Sequence, residues 1–176
     1  MQSINTSYTP VAKGFHWLMA VLILGTLALG LYMHDLPLSP QKLQIYSWHK
    51  WMGVTVFVLV WLRLAWRVTH RPPPPPDTLR PGMKRLAYAG HALLYGLMIV
   101  IPLSGWLMSS AKGFQTVWFG VVPIPDLIGR DREMGDLLQT THKALTVLLM
   151  LTLAGHIAAA LWHHFVLKDD TLRRIR

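Results

Sequence analysis

The stretch Thr141–His164, THKALTVLLMLTLAGHIAAALWHH, decides how the chain is read. Lys143 is its only Asp, Glu, Lys or Arg, and at 24 residues it exceeds the roughly 20 that a helix needs to cross a bilayer. His142 and His156 lie 14 residues apart within it. At about 3.6 residues per turn this is nearly four full turns, so both imidazoles project from almost the same face. At about 1.5 Å per residue they are about 21 Å apart along the axis. One helix therefore offers two imidazoles on one side, one per leaflet, and the rest of the chain must supply their partners.

The composition agrees with a bilayer as solvent. Of 176 residues, 52% are hydrophobic and only 14% charged, which is the membrane-protein range. There is no cysteine, which excludes disulfides, iron–sulfur ligation and thioether-attached or thiolate-bound haem. The net charge of +9 fits Lys and Arg on the cytoplasmic flanks of membrane spans better than a nucleic-acid surface, so no nucleic-acid partner is expected.

Four apolar runs are long enough to span: Gly14–Met33, Trp48–Trp66, Leu86–Ser109 and Leu137–Leu167. The first is too long for a cleaved leader and reads as an uncleaved anchor. The expectation is an all-α, integral membrane, four-helix up-down bundle forming one transmembrane domain. Asp35–Ser47 and His70–Pro81 read as linkers, and Pro72–Pro76 as a stiff extended turn of unassigned role. Ser110–Asp136 is the longest connection and reads as a small cap. Pro102 is expected to kink the third span.

Basic residues set the orientation. With the N-terminus inside, 11 Lys and Arg fall on the cytoplasmic flanks and 6 on the other side, where four acidic residues offset them. Both termini are then cytoplasmic.

With alternating spans, four of the nine histidines pair by depth. His16, near the inner start of span one, is level with His156. His49, at the outer start of span two, is level with His142. Two neutral imidazoles on opposite helices can fill both axial positions of a haem iron, and an iron without an open position suits electron transfer. A zinc or di-metal site would want carboxylates, and the span interiors contain no Asp or Glu. The plain alternative for any one of these residues is a histidine hydrogen-bonded across helices.

Other residues fit around such sites. Gly53, four residues after His49, makes room for a flat macrocycle. Arg63, 14 residues after His49, is on the same face at the inner depth, either as a propionate partner or as an ordinary cytoplasmic anchor. His91 either bonds a propionate or is structural. His163, seven residues after His156, is a quinone ligand or proton relay, or else an interfacial side chain. Lys50, Lys143, Arg130 and Arg132 give the outer end a basic character that would attract an anionic donor.

Five segments carry a resemblance to the bacterial cytochrome b561 family: FHWLMA around His16, WHKWMG around His49 with LRLAWR around Arg63, HALLYGLM at His91, the His142-to-His156 spacing, and HIAAALWHHFVLKDDTLRRI at the end. The resemblance extends over nearly the whole chain. It implies two non-covalent haem b groups, with His16 and His156 ligating one iron and His49 and His142 the other. It further implies a place in the bacterial inner (cytoplasmic) membrane and electron exchange with ubiquinone. One activity of such proteins resembles superoxide oxidase, with superoxide oxidised at the periplasmic face; others resemble haem b anchors serving a partner dehydrogenase or hydrogenase. A haem-free transporter or structural membrane protein is the remaining reading.

Overall fold

The computed structural model describes residues 7–75 and 79–176. Pro76, the last residue of the proline run, lies outside the described residues. The described residues form four long helices: α1 (Pro10–Asp35), α2 (Pro40–Thr69), α3 (Pro81–Ala111) and α4 (Arg132–Trp162). All four are long and apolar enough to cross a membrane. One π-helical turn, His163–Leu167, continues α4. A two-stranded antiparallel hairpin, β1 (Val117–Trp118) and β2 (Val122–Pro123), occupies the connection between α3 and α4.

The helix starts are written in the sequence as caps. Thr9 and Ser39 accept hydrogen bonds from the amides of Ala12 and Lys42, and Pro10 and Pro40 follow them. A proline in the first turn loses nothing, because its missing N–H would have had no partner there. Asp131 caps α4 through Met134 N. These caps make the helices longer than the apolar runs. Residues 40–47 are helical rather than linker, because Gln41, Lys42 and Gln44 are good helix formers once Ser39–Pro40 has set the start. Apolarity marks the part of a helix that lipid covers, and caps mark where the helix begins. α3 continues unbroken past Pro102.

α1 packs along α2, α3 along α4, and α2 along α3, while no comparable packing joins α4 to α1 or α2. One core cluster draws on all four helices: Met19, Ile23, Val56, Val60, Leu94, Leu97, Met98 and Leu149. The opposite faces expose Val21, Leu24, Leu31, Leu151 and Leu161, as they must where the surrounding medium is hydrocarbon. Tyr8 N donates to Arg174 O at 3.1 Å, so both ends of the described chain meet at one end of the bundle.

Candidate functional site

Along α2 and α4 the inward face reads from a polar layer, through the apolar core, to a second polar layer, and along α1 from one polar layer into the core. On α4 the order is His142, Leu149, His156; on α1 it is His16, Met19, Ile23; on α2, His49, Val56, Val60, Arg63. The core cluster thus separates two histidine layers, one near the termini and one at the distal end.

In the terminal layer the rings of His16 and His156 have centroids 6.2 Å apart. In the distal layer the rings of His49 and His142 are 6.3 Å apart. Both pairs bridge from α4 to a helix whose backbone stays further from α4 than α3 does, α1 in one case and α2 in the other. A metal–imidazole bond of about 2.0 Å and about 1.1 Å from nitrogen to ring centre put two trans imidazoles at about 6.2 Å between centroids. Both pairs have this separation, so the residues fit a bis-imidazole iron.

The distal histidines are held in the form that such a bond requires. His49 Nδ1 donates to the Thr26 carbonyl at 3.0 Å. His142 Nδ1 lies 3.2 Å from the Ile101 carbonyl and 3.0 Å from Ser104 Oγ, which itself donates to Ile101 O. With the proton fixed on Nδ1, Nε2 is left as the metal-binding nitrogen. The two arrangements repeat each other. In each, the accepting carbonyl is four residues before a glycine, Gly30 or Gly105. A Cβ on either would stand 3.1 or 3.2 Å from Cε1 of its histidine. The α1–α2 and α3–α4 hairpins therefore share one latch: a helix carbonyl bared by a glycine, gripping the histidine of the following helix.

The terminal layer is built differently. Arg63 Nη2 lies 3.4 Å from His16 Nδ1, and its guanidinium sits over the Tyr95 ring at 5.4 Å. Among the described residues no carboxylate is within ion-pair distance of Arg63. His91 is 5.6 Å from His156, closer than a trans pair allows. Among the described residues no group of three or more His, Asp or Glu side chains is disposed around a metal position. Gly53 has nothing within 4 Å of where a Cβ would be, so the space one turn from His49 is open.

His163 is not a free interfacial side chain. Its Nδ1 is 2.6 Å from Asp169 Oδ2, in a tail that the π-helical turn and left-handed Lys168 (φ 53°) fold back under the bundle. Burial works to raise the Asp169 carboxyl, but hydrogen bonds from Thr171 and His163 outweigh it and hold the group below its ordinary range. The tail is also tied down by Trp17 Nε1 on Ile175 O at 3.0 Å and Arg174 Nη2 on Pro74 O at 2.7 Å.

At the distal end Lys50 Nζ donates to Phe114 O at 2.9 Å, and Lys143 Nζ lies 3.3 Å from His34 Nε2. Arg130 Nη2 donates to Gly113 O at 3.2 Å. None of these three contacts is a carboxylate. Lys112, by contrast, pairs with Asp136 at 3.1 Å.

The family model described as prokaryotic cytochrome b561 matches residues 7–176. The chain belongs to the prokaryotic cytochrome b561 family. Among its relatives, "Cytochrome b561 homolog 2" of Escherichia coli K12 is 33% identical over 175 residues, covering 96% of this chain and 90% of that protein. The "Probable superoxide oxidase CybB" of Yersinia pestis is 27% identical over 98% of this chain and 97% of its own length. "Cytochrome b561 homolog 1" of Escherichia coli K12 is 30% identical over 70% of this chain and 69% of its own. As a cytochrome b561 the chain is a multi-pass membrane protein of electron transfer that binds haem b.

Proposed function

We propose that this cytochrome b561 holds two haem b groups, one between His16 and His156 and one between His49 and His142, and passes electrons across the bacterial inner membrane to ubiquinone. The observation that carries this is the equal, trans-compatible spacing of two histidine pairs on two levels. The positive-inside bias supports cytoplasmic termini, which makes the His49–His142 layer periplasmic. Haem iron supplies one-electron chemistry, and a bis-His site leaves it no open position for dioxygen.

The chain's own groups tune and orient that chemistry. A metal on Nε2 of His16 requires a proton on Nδ1, so Arg63 cannot then donate there. The guanidinium turns to another acceptor, and a haem propionate is the anion the site would provide. His91 would hydrogen-bond the same haem, and the open space at Gly53 would accommodate the distal one. His163, with Asp169 fixing its proton on Nδ1, can offer Nε2 to a quinone oxygen or a proton.

The likeness to a protein named as a superoxide oxidase makes superoxide the favoured donor at the periplasmic face. Two superoxide ions each give one electron and become dioxygen; ubiquinone takes the two electrons and two protons to become ubiquinol. Purified protein in lipid vesicles, given superoxide and a short-chain quinone, tests this reading. Quinol formation by the isolated protein is expected. Inactivity alone, with activity restored by a co-purifying dehydrogenase or hydrogenase, would make the chain an anchor subunit instead.

A further inference from the structure

The connection between α3 and α4 contains 12 consecutive residues without charge, Phe114–Pro125 (FQTVWFGVVPIP). It forms the β1–β2 hairpin. Two of its carbonyls accept N–H groups from indoles of the spans. Trp51 Nε1 donates to Val117 O at 2.6 Å, and Trp106 Nε1 to Pro125 O at 2.9 Å. In return Trp118 Nε1 donates to Thr55 Oγ1 at 3.2 Å. Ile124 N finds Thr116 O at 2.8 Å, and Pro123 and Pro125 have no N–H to satisfy.

The register on α2 gives the depth. Trp48 opens the apolar run of that helix, and Thr55 is seven residues further in. At about 1.5 Å per residue this is about 10 Å below the membrane surface, within a hydrocarbon core of about 30 Å. Non-helical backbone at that depth is tolerated only where protein satisfies its polar groups. Here the Val117 and Pro125 carbonyls accept indole N–H groups of the spans, the Phe114 carbonyl accepts from Lys50 Nζ and Ser109 Oγ, and the Gly120, Val121 and Ile124 amides close on the Val117, Trp118 and Thr116 carbonyls. The turn is specific: Phe119 (φ 50°) and Gly120 (φ 72°) both have positive φ. A phenylalanine rarely adopts this conformation, and here the Phe119 ring lies against Trp51 (5.5 Å) and Trp118 (5.3 Å). Phe119, Val121 and Val122 nonetheless remain exposed.

We infer that the hairpin Val117–Pro123 dips into the distal leaflet and that lipid acyl chains cover its exposed apolar side. It is then a membrane-contacting flap along α2, beside the His49 level, and not an aqueous cap.

Because the chain has no cysteine, single-cysteine variants of the haem-loaded protein in phosphatidylcholine vesicles can be reacted with N-ethylmaleimide. Only a thiolate reacts, and thiolates form in water. Val121, which is 78% exposed in the protein alone, is replaced in Val121→Cys. Its reaction should be at least about tenfold slower than that of Glu133→Cys and should match Leu151→Cys on the lipid face of α4. A rate equal to that of Glu133→Cys would overturn the inference. So would protection that fades as the protein is diluted into more lipid, which would identify a second copy as the cover. Variants are compared only where the reduced-minus-oxidised haem spectrum is unchanged, and Val122→Cys gives the same reading if Val121→Cys does not load haem.

Discussion

His49 on α2 and His142 on α4 face each other with ring centroids 6.3 Å apart, across two helices whose backbones do not run in close contact. The same holds for His16 and His156 at 6.2 Å. If each pair holds one iron, the two must fail independently. His49→Ala and His142→Ala should each remove the same haem and leave the other's spectrum in place; His16→Ala and His156→Ala should do the reverse. Optical and electron paramagnetic spectra of the four purified variants check this. Loss of one common haem by His16→Ala and His49→Ala would break the two-level account.

The glycine latch predicts a smaller, one-sided effect. A Cβ at Gly30 or Gly105 stands 3.1 or 3.2 Å from its histidine, so Gly30→Ala or Gly105→Ala pushes the ring from its carbonyl. Perturbing the outer partner of a metal-bound histidine typically costs about tenfold or more in affinity. Haem release to apomyoglobin should show the distal haem leaving about tenfold faster in either variant, with the potential of the other haem unmoved. Gly53→Ala, where a Cβ meets nothing, tests the haem space instead of the latch.

The C-terminal fold-back should be acid-sensitive. Asp169 titrates below its unfolded value, so its contribution is fully present above the ordinary carboxylate range, near pH 4, and is lost as pH falls through the lowered value. Hydrogen exchange over residues 168–176 should be slow at pH 6 after correction for intrinsic rates and should rise toward pH 3. Asp169→Asn should already show fast exchange at pH 6. Equal protection in the variant would remove Asp169 as the clasp.

Superoxide oxidation, if the chain performs it, should be steered by charge. Lys50 donates to Phe114 O, Arg130 to Gly113 O, and Lys143 lies against His34 Nε2, so their direct contacts are not carboxylates. The second-order rate should fall as salt rises from about 10 to 150 mM, as the screening length shortens from about 30 to 8 Å. Lys50→Gln with Lys143→Gln should flatten that dependence. A rate indifferent to salt in the wild-type chain would remove the steering.

The histidine layers were legible in the sequence because periodicity and depth both follow from helix geometry: 14 residues separate His142 from His156 whatever surrounds them. The latch was not. Gly30 and Gly105 look like any small residue in a span, and their meaning depends on which histidine the neighbouring helix brings opposite. Asp169 was equally hidden, since six residues after His163 on a regular helix it would point to another face. Only the π-helical turn and the reversal at Lys168 bring it back. The 40–47 extension of α2 and the docking of Trp118 on Thr55 belong to the same class. The first was masked by polarity, the second by a separation of 63 residues.

The haem content of the purified protein tests the central claim most directly. The pyridine haemochrome assay, set against amino-acid analysis, should give two haem b per chain, and the dithionite-reduced spectrum should show two resolvable low-spin components. A ratio of one would mean that one histidine pair is structural, and an optically silent protein would contradict the account entirely.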